Sequence, residues 1–266
     1  MKLKNFGWVW EGQGFDPGVH PSIFGVGEGA EFFGLSRAVY MFHPNNNLAM
    51  KKMNKLDELI CDIAKWKYRN IGTSENPGFL GAVEHWIDGS VESICREANI
   101  VSKLSLKYPN ITGAYHDDMK GLVKKFGCLP SDYTLIYEAV KSANSTLKLW
   151  SCVYDKELEA EFWEGFSPYL DVINFWVWES RNLFRLDEYL ERVRELFPGK
   201  PINLGVYLRD YSIAEPVPMS IIKFQMEKIL KYVQEGTIEG FSILGAVLID
   251  GQLEQSEWIR DFIAAN

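Results

Sequence analysis

Apolar residues along this chain follow two alternating periods. Runs at about 5–10, 37–43, 65–70, 111–117, 148–154, 172–178, 201–208 and 240–249 are continuous or alternate every second residue, which predicts eight strands. Between them apolar residues recur every third or fourth position, as in Val91, Ile94, Ala98 and Val101 or Ile222, Met226, Ile229 and Val233. Each such stripe predicts a helix with one buried face. The stripe Met53, Leu56, Ile60 and Ile63 predicts the helix ahead of the third strand, and residues 28–35 the helix after the first. Asn45 to Asn47 and Ser131-Asp132 offer N-cap oxygens, and Pro198-Gly199 ends a helix just ahead of the strand at Pro201.

Eight strand-then-helix units in 266 residues average about 33 residues each, the length of one βαβ step, and the total fits the ~250 residues of a closed barrel. The chain is therefore expected to be α/β, a single (β/α)8 TIM barrel spanning residues 1–266 as one domain. An open doubly wound sheet shares the alternation but usually has fewer strands. No Pro/Gly/Ser-rich linker splits the chain. The one long interruption, residues 71–88 after strand 3, is expected to rise over the barrel mouth as a lid or wall.

In such a barrel the reacting groups stand where strands end. The predicted ends read Trp10-Glu11, Phe42-His43, Lys67-Tyr68-Arg69, His116-Asp117-Asp118, Tyr154-Asp155, Trp178-Glu179, Arg209-Asp210 and Ile249-Asp250, so six of the eight carry a carboxylate. Asp155 and Asp250 are read as turn and cap residues, a common role of Asp at strand ends. Adjacent carboxylates repel, so Asp117-Asp118 needs a local cause. Alternation puts Thr112, His116 and Asp118 on one face of strand 4, and Asp118 is expected to point into the mouth while Asp117 orients a neighbour or caps the next loop. The same parity aims Asn203, Gly205, Tyr207 and Arg209 of strand 7 at the axis. On strand 6 it groups Asn174, Trp176 and Trp178, with Glu179 at the rim.

Aromatics are plentiful, with 16 Phe, 12 Tyr and 9 Trp, more than ordinary core filling needs. Trp8, Trp10, Trp150, Trp176 and Trp178 lie on predicted strands, and Tyr40, Tyr154, Tyr207 and Tyr211 lie near strand ends. Carboxylates facing one another in an aromatic-lined mouth are the equipment of glycoside hydrolysis. One acid protonates the leaving oxygen, the other is nucleophile or base, and indoles stack on the CH faces of a carbohydrate substrate. A net charge of -8 without a long basic run argues against nucleic acid or an anionic membrane as partner. Cys61, Cys95, Cys128 and Cys152 stand in no metal-binding spacing and read as buried thiols, so no metal or cofactor is expected. The N-terminus lacks an apolar signal core and no apolar stretch approaches ~18 residues, so a soluble cytoplasmic protein is expected, or a secreted one if a signal peptide has been removed.

The segment from Ile111 to Met119, ITGAYHDDM, follows a helix ending at Lys107 to Asn110. It resembles the fourth-strand segment of glycoside-hydrolase-like TIM barrels, where an apolar strand ends in paired acids. Phe32 to His43, FFGLSRAVYMFH, resembles the passage from first helix to second strand in the same barrels. The resemblance implies an acid after strand 4 and a nucleophile after strand 7, which are Asp118 and Asp210 here. Those barrels usually carry Asn-Glu and Glu at these places, whereas this chain has Asp at both. Pairing of Asp118 with Glu179 is equally open, and Glu11 is a third carboxylate. Asp118, Glu179 and Asp210 are thus the expected catalytic residues. Glu11, Trp10, His43, His116, Asp117, Tyr154, Trp176, Trp178, Tyr207 and Arg209 are the expected substrate-binding ones.

Three rivals use other chemistry on the same barrel. A divalent-metal-dependent sugar isomerase or epimerase would take His43, His116, Glu179, Asp210 and Asp250 as ligands, although no HxH pair supports it. A Schiff-base aldolase would need an inward Lys67 or Lys148, neither with a supporting motif. A noncatalytic carbohydrate-binding barrel would keep the aromatics and use the acids only as acceptors. Gly25 to Ala30 matches GxGxxA but lacks a firm preceding strand, and is read as a flexible loop over the mouth. His20 and His85 sit in loops of the predicted mouth.

Overall fold

The computed structural model describes residues 2–12, 19, 22–70 and 83–266. Eight parallel strands close into a barrel: β1 (Gly7–Trp10), β2 (Arg37–Tyr40), β3 (Glu58–Asp62), β4 (Ile111–His116), β5 (Lys148–Tyr154), β6 (Val172–Trp176), β7 (Ile202–Tyr207) and β8 (Gly240–Leu244). Pairing of β1 with β8, from Gly7↔Phe241 to Trp10↔Leu244, completes the ring. Around it lie α1 (Val26–Phe33), α2 (Asn47–Lys52), α3 (Val91–Ser105), α4 (Met119–Phe126), α5 (Pro130–Lys141), α6 (Ala160–Phe166), α7 (Leu186–Leu196), α8 (Met219–Gln234) and α9 (Leu253–Ala265). The expected (β/α)8 barrel is the observed architecture. No helix among the described residues is long and apolar enough to cross a membrane.

The third strand lies earlier than its pattern suggests. Leu59, Ile60 and Cys61 are fully buried in β3, and the helix before it ends at Lys52. A parallel strand covered on both faces reads as an unbroken apolar run, and here that run happened to keep the three-to-four spacing of a helix. The alternating segment Trp66–Asn70 instead pairs antiparallel with Val83–Ile87, outside the barrel ring, as a hairpin after β3. Residues 71–82 of the expected lid, and His20, lie outside the described residues.

Gly25 to Ala30 also departs from expectation, because Val26–Phe33 is helix α1 rather than a loop. A Cβ on Gly29 would stand 2.6 Å from the Ala246 Cβ, so the glycine lets α1 press against the turn after β8.

Inside the barrel the inward side chains form layers. At the floor Trp8 meets Trp150 edge-on at 5.4 Å, and the Arg37 guanidinium lies 4.7 Å over the Trp8 ring. Above them the Tyr115 hydroxyl donates to Asn174 Oδ1 at 3.1 Å, and Asn203 Oδ1 accepts from Asn174 Nδ2 and from Ser242 Oγ. These hydrogen bonds are what allow such polar groups in a core, and of the set only Asn203 Nδ2 is left without a partner. Parity on β6 and β7 runs as expected. On β4 it is reversed: Tyr115 faces the axis, while His116 points outward, stacked 5.7 Å from Tyr133 of α5 with Nδ1 3.0 Å from the Tyr133 hydroxyl. Both faces of the strand are buried, so polarity alone did not mark the inner one.

Candidate active site

Strand ends and loops at the C-terminal mouth enclose a cleft of about 280 Å³. Its lining runs around the barrel: Trp10 of β1, Phe42 after β2, Trp66 of the hairpin, Asp117 and Asp118 after β4, and Tyr154 of β5. Trp176 and Trp178, Tyr207 and Tyr211, and Leu244 of β8 complete it.

Asp117 continues the inward face of β4, two residues beyond Tyr115. Plain alternation would then turn Asp118 away. Asp118 instead adopts φ 45° and ψ 32°, the left-handed region, at the N-terminal end of α4, and both neighbours line the same cleft. The Tyr154 hydroxyl donates to Asp118 Oδ1 at 3.0 Å. The Asp118 N–H donates to Cys152 Sγ at 3.0 Å, and the Cys152 thiol lies 3.7 Å from Asp117 Oδ1. Behind the pair, Asp62 at the end of β3 is buried, with Oδ1 accepting the Ala64 N–H at 2.9 Å.

Burial dominates the electrostatics. It pushes the Asp118 carboxyl above its ordinary range, against the opposing pull of the Tyr154 hydrogen bond and the Lys156 ammonium. Asp117 is pushed well up by burial and by the neighbouring Asp118 and Asp62 carboxyls. Asp62 is pushed up to about 7, mainly by burial. The three therefore retain protons at pH values where an exposed Asp has lost them.

Trp178 is more occupied than a free sugar platform. Lys156 Nζ lies 4.1 Å from its ring centre, Tyr211 stacks on it at 6.0 Å, and Tyr154 meets it edge-on at 5.7 Å. Trp10 packs edge-on against Tyr115 and Trp176, which holds the cleft floor rigid.

Of the expected residues, Trp10, Asp117, Asp118, Tyr154, Trp176, Trp178 and Tyr207 line this cleft, and the others stand elsewhere. Glu11 is buried, with Oε2 accepting the Met41 and Phe42 N–H groups at 2.8 Å each and Oε1 bonded to His43 Nδ1. His43 is mostly exposed on the far side of that pair. His116 lies under α5. Glu179 holds Arg181 Nε at 2.6 Å. Arg209 and Asp210 form a two-residue ladder with Glu215–Pro216, and Arg209 is buried there. Asp210 accepts the Ser180 N–H at 2.8 Å and the Ser212 N–H at 2.9 Å, tying together the loops after β6 and β7. Asp155 and Asp250 tether distant loops rather than cap local turns, accepting the Trp178 N–H at 3.0 Å and the Ile23 N–H at 3.2 Å.

Asp62, Cys152, Phe42 and Trp66 are the residues at the site that the pattern did not single out. For Asp62 the available signal was a carboxylate ending the unbroken run Leu59 to Cys61. For Cys152 it was parity with Trp150 and Tyr154.

Among the described residues one group, Asp117, Asp118 and Cys152, brings possible metal-ligand atoms within 4.8 Å of one another. Burial pushes its thiol and both carboxyls up from their ordinary values. The ligand set of a sugar isomerase is dispersed, with His43 on Glu11, His116 under α5 and Asp250 bonded to Ser22 Oγ.

No family model and no curated protein matches this chain by sequence. By structure it is similar to a family 18 chitinase from Crocus vernus, with a TM-score of 0.54 and 10% identity over 97% of this chain and 98% of that one. A β-glucuronidase from Bacteroides uniformis gives a TM-score of 0.57 at 12% identity, over 93% of this chain and 31% of that one. A xylanase-α-amylase inhibitor protein solved with trehalose gives 0.56 at 13% identity, over 98% of each chain. The likeness is one of fold: this chain shares the closed eight-stranded parallel barrel with these structures.

Proposed function

We propose that this protein hydrolyses glycosidic bonds, with Asp118 as general acid and Asp117 as its partner. The observation that carries this reading is two adjacent carboxyls, Asp117 buried and Asp118 partly exposed, lining one aromatic cleft at the barrel mouth. A carboxyl whose pKa burial raises is suited to act as general acid for the leaving oxygen.

Both carboxyls stand on the β4 side, and across the barrel β8 and β1 contribute Leu244 and Trp10. A pair that does not straddle the scissile bond fits substrate-assisted cleavage, the route in which a 2-acetamido group supplies the nucleophile. The acetamido carbonyl oxygen bonds to C1 as the C1–O bond breaks, Asp118 protonates the leaving oxygen, and Asp117 accepts the amide N–H. Water then opens the cyclic intermediate with the Asp118 carboxylate as base. The preferred substrates on this reading are 2-acetamido-2-deoxyglycosides.

A panel of nitrophenyl glycosides with and without the 2-acetamido group, run alongside calorimetric binding of the free sugars, tests the proposal. Turnover of the acetamido members supports it. Turnover confined to 2-hydroxy glycosides removes the substrate-assisted route, and binding without turnover points to a noncatalytic carbohydrate-binding barrel.

A further inference from the structure

Cys152 is the fully buried inward residue of β5 beside the end of β4, where His116 and Ser151 are Cα partners. The chain leaves the barrel ladder at this point, so the next N–H groups need other partners. The Asp118 N–H finds Cys152 Sγ at 3.0 Å, and the same thiol lies 3.7 Å from Asp117 Oδ1. A left-handed backbone is unfavourable for a residue with a Cβ and persists where its surroundings over-determine it. Asp118 is such a residue, and its backbone anchor is a side chain of the adjacent strand.

We infer that Cys152 is a positioning residue for the acid pair: as acceptor it pins the left-handed turn that aims Asp118 into the cleft, and as donor it orients the carboxyl of Asp117. Its kinetic consequence rests on the glycosidase reading, while its structural consequence rests on geometry alone. A thiol can serve both neighbours at once because burial keeps it protonated, so that it donates through hydrogen while accepting through sulfur. On the opposite flank of β4 the buried Asp62 of β3 accepts the Ala64 N–H.

The test compares Cys152→Ala, which deletes both contacts, with Cys152→Ser, whose hydroxyl restores a donor and an acceptor. Two quantities are read: kcat and KM on a nitrophenyl glycoside that the wild type cleaves, and amide hydrogen exchange at Asp118. Cys152→Ala is expected to lower kcat by about tenfold or more with KM within about twofold, and to speed exchange at Asp118. Cys152→Ser is expected to recover most of both. Unchanged kcat or unchanged exchange in Cys152→Ala overturns the inference, as does Cys152→Ser falling as far as Ala. If Cys152→Ala does not fold, Cys152→Val replaces it, filling the volume without either contact. If the wild type cleaves no glycoside, the glycosidase reading fails and the exchange comparison alone decides the positioning role.

Discussion

Gly205 of β7 lies directly beneath the indole of Trp176 on β6, so close that a Cβ at 205 would collide with ring atoms Cε3 and Cδ2. The indole is rigid at the point of collision and is wedged on its other side by Trp10, 5.0 Å away edge-on. Gly205→Ala is therefore expected to tilt Trp176 into the cleft. Overpacking of this kind costs about 1–3 kcal/mol, readable as a lower denaturant midpoint. KM for a cleaved glycoside is expected to rise with it. Wild-type stability in Gly205→Ala would show that the ring has room to move.

Asp118 and Asp210 are expected to differ in kind. Asp118→Asn removes the proposed acid and is expected to lower kcat by about 10²–10⁴-fold with the denaturation midpoint unchanged. Asp210→Ala strips the Ser180 and Ser212 groups of their acceptor and is expected to reduce stability first. Burial pushes the Asp210 carboxyl up, but the Ser180 and Ser212 hydrogen bonds outweigh it and hold the folded value below the ordinary one. Its contribution is thus present above the unfolded pKa and lost as pH falls through the folded one. Full activity in Asp118→Asn would end the assignment.

The Tyr154 hydroxyl bears on the pH profile. A general acid works protonated, so activity falls as pH rises through its pKa. Burial raises that pKa and the Tyr154 hydrogen bond opposes the rise. Tyr154→Phe is therefore expected to move the alkaline limb of kcat/KM to higher pH, with Lys156→Met moving it the same way. A limb that stays put in both variants would mean that another group sets it.

Glu11 and His43 set a stability window. The Glu11 hydrogen bond raises the His43 pKa, so this contribution is complete below the unfolded histidine value and is lost as pH rises through the folded one. Burial pushes Glu11 up, but the hydrogen bond and charge of His43 outweigh it, so its contribution is lost as pH falls through its lowered value. His43→Gln is expected to flatten the alkaline slope of urea stability, an effect reduced by salt because His43 is mostly exposed. Glu11→Ala removes the carboxylate acceptor of the Met41 and Phe42 N–H groups and is expected to cost roughly 1–3 kcal/mol.

The chain's periodic pattern by itself determined an α/β alternation with seven of the eight barrel strands, because burial of one helix face and of whole parallel strands is written residue by residue. It also placed Tyr154, Trp176 and Tyr207 at the mouth, since strand ends and alternation are local properties, whereas Asp118 reaches the cleft although the parity that pointed it there is reversed. Only the tertiary structure decided that β3 is Glu58–Asp62, that Tyr115 rather than His116 faces the axis, and that Glu11 and Asp210 serve as backbone clamps. A strand buried on both faces carries no mark of which side is inner. The direction of a carboxyl just past a strand is set by one left-handed turn and by a thiol on the neighbouring strand, which no spacing along the sequence records.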